Sequence, residues 1–283
     1  MSLIDTYELS NGVKIPVVGF GTWQASAGAV ANFAIKAALA SGYRHIDTAQ
    51  MYGNEASIGE ALKQSGISRQ SIFITTKLNN DVHGYQAASE AIDRSLRDLQ
   101  TDYLDLFLIH WPNPKPFRDE NWQTTLQETW RALEDAYQAG KLKAIGVSNF
   151  KVKHFEILEQ TQKIMPMVNQ IRICPGDHDE EIISYCQAKN ILLEAYTPLG
   201  RGVIFENETM QEIAKQTNHT IAQVCIRWSL QHGFLPLPKS VHEERIEENT
   251  RVFDFELTPQ QMAKIDALDG IAGYAMNPDT ADF

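Results

Sequence analysis

Apolar residues along this chain come in short runs separated by longer amphipathic stretches, and the two kinds of segment alternate almost from end to end. Residues 17–20, 45–47, 72–77, 104–110, 144–148, 167–170, 191–196 and 234–239 read as buried strands. Between them, residues 27–40, 55–64, 85–99, 122–139, 152–161, 180–189 and 221–231 carry helical spacing. Strands separated by helices of this length must pair in parallel through right-handed crossovers. Eight such units favour a closed (β/α)8 barrel over an open sheet. Gly42, Gly66 and Gly140 stand where glycine closes a helix, with the next strand a few residues on. Ahead of the first strand, residues 7–9 and 13–15 flank Ser10, Asn11 and Gly12, which predicts a small N-terminal β-hairpin cap. The irregular stretches 111–121 and 197–206 leave the C-terminal ends of strands, where a barrel of this kind carries its active site.

Composition narrows the picture. A single barrel domain, residues 1–283, accommodates the whole chain. Hydrophobic residues make up 43% and charged residues 22%, as in ordinary globular proteins. No window approaches the roughly 18 to 20 apolar residues of a membrane span, and the opening MSLIDTYE lacks the basic and apolar regions of a signal peptide, so a cytoplasmic location is expected. Cys174, Cys186 and Cys225 are odd in number and unpatterned, which argues for reduced thiols and against a zinc site. A net charge of -11 argues against nucleic acid or an acidic membrane surface as partner.

The stretch GYRHIDTAQMYGNE runs a strand into a polar loop. Asp47 and Tyr52 cannot share a strand face, so the chain must turn between them and can aim both into one pocket. The next two strands close with Lys77 and His110. Singly, each of these residues is more often a satisfied structural group. Four together on adjacent strand ends reverse that. Lys77 follows an apolar run and needs an anion such as Asp47; its ammonium favours ionisation of a neighbouring phenol, leaving Tyr52 as the proton donor and His110 to orient a carbonyl or share the proton. A metal fails on ligands, because the histidines are scattered and no H-x-H or H-E-x-x-H pair occurs.

In this order, GYRHIDTAQMYGNE, ITTKL, DLFLIHWP, GVSNF, VNQI, AYTPLG and LPKSVHEERIEEN resemble the aldo-keto reductases, in particular the short bacterial diketogluconate-reductase-like branch. The resemblance implies Asp47, Tyr52, Lys77 and His110 as the catalytic four, and NADPH lying extended across the barrel top. Consistently, Gly19-Phe20-Gly21 is not completed into a Rossmann fingerprint, since Gln24 stands at the third glycine position. By the same resemblance Ser148, Asn149 and Gln170 hold the carboxamide and Tyr196 stacks on the nicotinamide. Gly21, Thr22, Trp23, Asp47, Thr197 and Leu199 complete the coenzyme contacts. Lys239, Ser240, Val241, Arg245, Glu248 and Asn249 surround a ribose phosphate, a local anion site that the neighbouring glutamates partly oppose. Trp23, Tyr52, His110 and Trp111, with Trp122 as a further candidate, are expected to wall a small, loosely selective carbonyl site.

Three departures stand out. Arg172, Ile173 and Cys174 precede Pro175 where relatives carry an acidic residue, an apolar one and histidine; Thr197 replaces a commoner serine; Arg201 occupies a position where serine often touches the pyrophosphate. The expected activity is NADPH-dependent reduction of aldehydes, ketones or dicarbonyls by a monomer. The alternatives are a nicotinamide sensor with little turnover and a Schiff-base lyase on Lys77, which Asp47 would keep protonated and poorly nucleophilic.

Overall fold

The computed structural model describes residues 1–283. Eight parallel strands, β3 (Phe20–Gly21), β4 (His45–Asp47), β5 (Phe73–Leu78), β6 (Leu106–Ile109), β7 (Ile145–Ser148), β8 (Val168–Arg172), β9 (Leu192–Tyr196) and β10 (Leu235–Leu237), lie in chain order around one sheet. The sheet closes on itself: the Gly19 N–H donates to Pro236 O at 3.1 Å and the Gly21 N–H to Pro238 O at 3.0 Å, joining the first barrel strand to the last. Helices α1 (Ala29–Ala40), α2 (Glu55–Gln64), α3 (Tyr85–Asp98), α4 (Trp122–Gln138), α5 (Val152–Glu159) and α6 (Glu180–Ala188) occupy the crossovers; α7 (Glu208–Thr217) and α8 (Ile221–Gln231) share the last one, and α9 (Glu243–Glu248) and α10 (Pro259–Asp266) follow β10.

The hairpin β1 (Thr6–Glu8) and β2 (Lys14–Pro16) pairs antiparallel with Tyr7 opposite Ile15. Asn11 Nδ2 donates to Lys143 O (2.9 Å) and the Tyr7 hydroxyl to Phe234 O (3.4 Å), carbonyls just before β7 and β10. The hairpin therefore closes the end of the barrel opposite the strand C-termini, leaving those free.

Expected and observed strands differ at their edges. The first pairs only from Phe20, because the Val17 N–H is bonded to Asp5 O beside the hairpin. Leu104 forms an isolated bridge to Leu142 ahead of β6. The helix α7 goes beyond the expected set; its buried Met210, Ile213 and Ala214 follow helical spacing, and Asn207 caps it by accepting from the Met210 N–H. Glycine matters sterically at Gly19, where a Cβ would come within 2.5 Å of His45 Nδ1 inside the barrel.

Candidate active site

Period-two alternation turns His45 and Asp47 inward on β4, and Thr75 and Lys77 inward on β5. Thr76 faces outward, where its hydroxyl donates to Glu55 of α2 at 2.7 Å. After Asp47 the chain makes a 3-10 turn, Gln50–Tyr52, ended by Gly53 at φ 64, which returns the Tyr52 ring over the barrel mouth. Asn54 braces this turn: its amide oxygen accepts from the Thr48 hydroxyl (2.8 Å) and its Nδ2 donates to the carbonyls of Thr22 (3.1 Å) and Ala25 (3.0 Å).

The expected four converge. Lys77 Nζ donates to Asp47 Oδ1 (2.7 Å), Asp47 Oδ2 (2.8 Å) and Thr48 O (2.8 Å), which uses all three ammonium protons. The same nitrogen lies 5.3 Å from the centroid of the Tyr52 ring. Tyr52 and His110 meet edge to face, with centroids 5.9 Å apart and planes at 77°. Asp47, Lys77 and His110 are buried, while Tyr52 is partly open at the mouth.

Their protonation follows from these contacts. Burial works against the Lys77 ammonium, but Asp47, then Tyr52 and Glu194, outweigh it and raise its pKa. Burial, assisted by the Lys77 charge, holds His110 well below the usual histidine range, so its ring is neutral. For Tyr52 burial pushes up, Lys77 pulls down and Asp47 pushes up again, with a net rise. The ammonium thus acts on the phenol as the sequence suggested, yet the resting phenol stays protonated.

Below these groups His45 and Glu194, which the sequence reading missed, form a polar layer with the expected Gln170. Gln170 Nε2 donates to Asp47 Oδ2 (2.8 Å) and to Glu194 Oε2 (2.7 Å). His45 Nε2 is paired with the Thr75 hydroxyl at 2.8 Å and lies 3.8 Å from Glu194 Oε1. A lone carboxylate inside the apolar run ILLEAY was the available signal.

The residues expected to hold the coenzyme line the same mouth. Thr22 is buried, its hydroxyl donating to Asp47 O at 2.9 Å. The Ser148 hydroxyl donates to Gln170 O (2.7 Å) and accepts from Asn149 Nδ2 (3.1 Å). Asn149, at φ 60, also donates to His110 O (3.0 Å) and accepts from the Tyr196 hydroxyl (2.7 Å), which fixes the Tyr196 ring. Thr197 sits at φ 55, a strained conformation for a β-branched residue, followed by further positive φ values at Gly200, Arg201 and Gly202. Arg201 lies over Trp23, 4.9 Å from the ring centroid, so this cation bridges the loops after β9 and β3. Trp23 is 40% exposed. Trp111 is buried edge-on against Phe283 (4.7 Å), whereas Trp122 packs on His154 (6.1 Å) and the core.

At the far end of the mouth, Lys239 Nζ reaches Gln24 O (3.3 Å) and partial burial lowers its pKa, the condition of a cation short of an anion. Arg245 is exposed on α9 without an ion pair, Ser240 accepts from the His242 N–H (3.1 Å), and Asn249 is buried. Two unpaired cations at one end, and Gln170 with an amide oxygen free of protein partners at the other, fit a phosphorylated nicotinamide coenzyme. In the departing segment, Arg172 is neutralised by Asp177 (Nε to Oδ2, 3.1 Å) and its Nη2 donates to Ala272 O (2.6 Å), so it anchors the C-terminal tail.

Comparison with known proteins agrees with this geometry. The pattern of the Aldo/keto reductase family matches residues 17–270. The chain is 46% identical over 278 residues to glyoxal reductase of Bacillus subtilis (strain 168), with 98% of each chain covered. An aldo-keto reductase from a Medee basin deep-sea metagenome library has a TM-score of 0.92 at 42% identity, covering 98% of this chain and 100% of that one. One from Bombyx mori, solved in complex with NADP, has a TM-score of 0.87 at 31% identity, covering 96% and 94%. Fold, site and likeness define the class: an NADP-dependent oxidoreductase on a (β/α)8 barrel. The chain belongs to the aldo/keto reductase family.

Proposed function

We propose that the chain reduces small aldehydes and vicinal dicarbonyls, with Tyr52 as proton donor and Asp47, Lys77 and His110 as its partners. The observation that carries this reading is the Lys77 ammonium, tied to Asp47 at 2.7 Å beneath Tyr52 and His110. Bound NADPH supplies the hydride to the carbonyl carbon. The neutral His110 ring orients the carbonyl oxygen beside the Tyr52 hydroxyl. As negative charge grows on that oxygen, Tyr52 hands over its proton, and the nearby ammonium stabilises the phenolate left behind. Asp47 keeps Lys77 charged throughout. Gln170, Ser148 and Asn149 would hold the nicotinamide end of the coenzyme, Tyr196 its ring face, and Lys239 and Arg245 the phosphate end.

The substrate class rests on the polar corner of Tyr52 and His110 beside the half-exposed Trp23 ring, and on the likeness to a relative named glyoxal reductase. We place the enzyme in the cytoplasm as a single-domain monomer. Three buried, unpaired cysteines suit a reducing compartment, and no helix is long and apolar enough to cross a membrane. The test is loss of NADPH absorbance with glyoxal, methylglyoxal, diacetyl and simple ketones, with Tyr52→Phe alongside. Turnover that vanishes in the variant supports the assignment. Tight NADPH binding with no turnover on any of them would return the sensor reading, which the intact catalytic four disfavour.

A further inference from the structure

Glu194 is fully buried on β9 between the apolar Leu193 and Ala195, and the reduction described above does not use it. Its Oε1 has no hydrogen-bond partner, and neither has His45 Nδ1 on the facing strand. Apolar residues of similar volume fill such places at no cost in stability, so packing does not explain a carboxyl group here. Its one hydrogen bond does. Gln170 has two amide protons; Glu194 Oε2 takes one at 2.7 Å and Asp47 Oδ2 the other at 2.8 Å. With both spent, the amide plane is fixed. The Gln170 Oε1 accepts nothing within the protein and is not among the sealed, unpartnered atoms, so it is the amide atom left facing the mouth.

We propose that Glu194 is a positioning residue for the reduction, acting through Gln170: it forces the amide oxygen toward the mouth, where that oxygen accepts from the carboxamide N–H of the nicotinamide. This rests on the NADPH reading given above. Were Glu194 absent, Asp47 alone would hold the amide nitrogen, and the terminal amide torsion, which has no strong preference of its own, would let the plane swing and the oxygen leave its place at the mouth. Loss of that acceptor from the donor end of the carboxamide would misplace the ring that delivers hydride.

The same carboxyl also acts on the catalytic charges. The titratable groups facing it are Asp47 and His45 from β4 and Lys77 from β5; β10 offers only Leu235, Pro236 and Leu237. Burial, then Asp47, pushes the Glu194 acid up to about 8, while burial, then Lys77, pushes His45 down to about 3. His45 is therefore neutral at working pH, and Glu194 ionises on the alkaline side. Once ionised, Glu194 supports the Lys77 ammonium. Removing its charge lets Lys77, and with it the Tyr52 acid, fail at lower pH.

The experiment measures binding of NADPH and of 2′,5′-ADP, which lacks the nicotinamide, by calorimetry, together with kcat against pH, for wild type, Glu194→Leu and Glu194→Gln. Glu194→Leu is expected to weaken NADPH about tenfold and leave 2′,5′-ADP unchanged. Glu194→Gln keeps an acceptor oxygen; it should bind NADPH within about threefold of wild type while its alkaline limb moves to lower pH. A Glu194→Leu protein that binds NADPH like wild type, or that loses both ligands equally, overturns the proposal. Should that variant fail to fold, Glu194→Met, which keeps the length of the side chain and lacks the acceptor oxygen, is put to the same two binding measurements, and the same outcomes support or overturn the role. Wild type that binds 2′,5′-ADP but gains nothing from the nicotinamide would sink the coenzyme reading itself, and this inference with it.

Discussion

Lys77 and Asp47 form a buried, two-pronged ion pair, with the ammonium 2.7 and 2.8 Å from the two carboxylate oxygens and no solvent access to the lysine. Such a pair is held by mutual need, since neither charge tolerates the interior alone. Asp47→Asn and Lys77→Met should each lower stability by about 3 to 5 kcal/mol in urea denaturation, because each strands one charge. Both should lower kcat by about two orders of magnitude or more. The double variant Asp47→Leu with Lys77→Met should regain much of the stability and none of the activity; a double variant as unstable as the sum of the singles would contradict the pairing. The raised lysine pKa sets the pH sense. Its contribution is complete below the unfolded value of about 10.4 and declines as pH rises beyond that toward the folded value.

Tyr52 and His110 make a prediction about the shape of the pH profile. Because His110 is held neutral well below the usual range, it cannot provide an acidic limb near its ordinary value. The kcat for reduction should be flat from about pH 5.5 to 7.5, the interval in which an unperturbed histidine would titrate. Tyr52→Phe should lower kcat by about three orders of magnitude while NADPH affinity, read by protein fluorescence, stays within a few-fold. A limb near pH 6.5 that disappears in His110→Asn would show the ring charged in the working enzyme and overturn its assigned role.

Two further buried histidines bear on acid stability. Burial holds His83 down to about 4 and, with Lys77, His45 down to about 3. The unfolded chain takes up a proton at each near pH 6.5 and the folded one does not, so stability falls as pH drops below about 6.5, by roughly 1.4 kcal/mol per unit per histidine until the folded value is reached. His83 is the cleaner test, since its Nε2 has no partner to lose. In urea melts between pH 6.5 and 4.5, His83→Gln should show a shallower decline than wild type; parallel curves would mean that His83 protonates within the native barrel.

The barrel was legible because β strands and helices differ in period, and eight changes of period leave little choice of architecture. Asp47, Lys77 and His110 were legible because charge at the end of an apolar strand is costly unless used. The boundaries of β3 were not, since Val17 and Val18 are as apolar as the strand they precede and only the backbone bond to Asp5 withdraws them from the sheet. Nor were His45 and Glu194 as partners of the expected Gln170, because their layer is assembled from strands far apart in sequence and closes only when β8 and β9 pair in the register that sets Gln170 beside Glu194. Arg201 stands in sequence where serine often touches the pyrophosphate. Its place over Trp23 depends on three successive positive φ values, which residue type alone does not dictate.

Arg245 is the residue through which the proposed attraction of a phosphate to this acidic segment can be tested. Glu243, Glu244, Glu247 and Glu248 surround it in sequence, which by itself argues for a neutral, solvated turn. In the fold Glu247 is paired with Arg251 one helical turn on, and Glu248 accepts from the Thr220 hydroxyl at 2.7 Å. Arg245 is left exposed and unpaired beyond Lys239, whose pKa burial already lowers. Arginine offers a planar fork of donors that matches a phosphate, and the 2′-phosphate is what distinguishes NADPH from NADH. Arg245→Ala should therefore reduce kcat/KM for NADPH about tenfold to a hundredfold and leave NADH within about twofold. The wild-type preference should also weaken as salt rises, and do so less in the variant, because an exposed charge pair is screened over about 10 Å at 0.1 M ionic strength. Equal losses with both coenzymes would place Arg245 away from the phosphate and return the segment to a solvated turn.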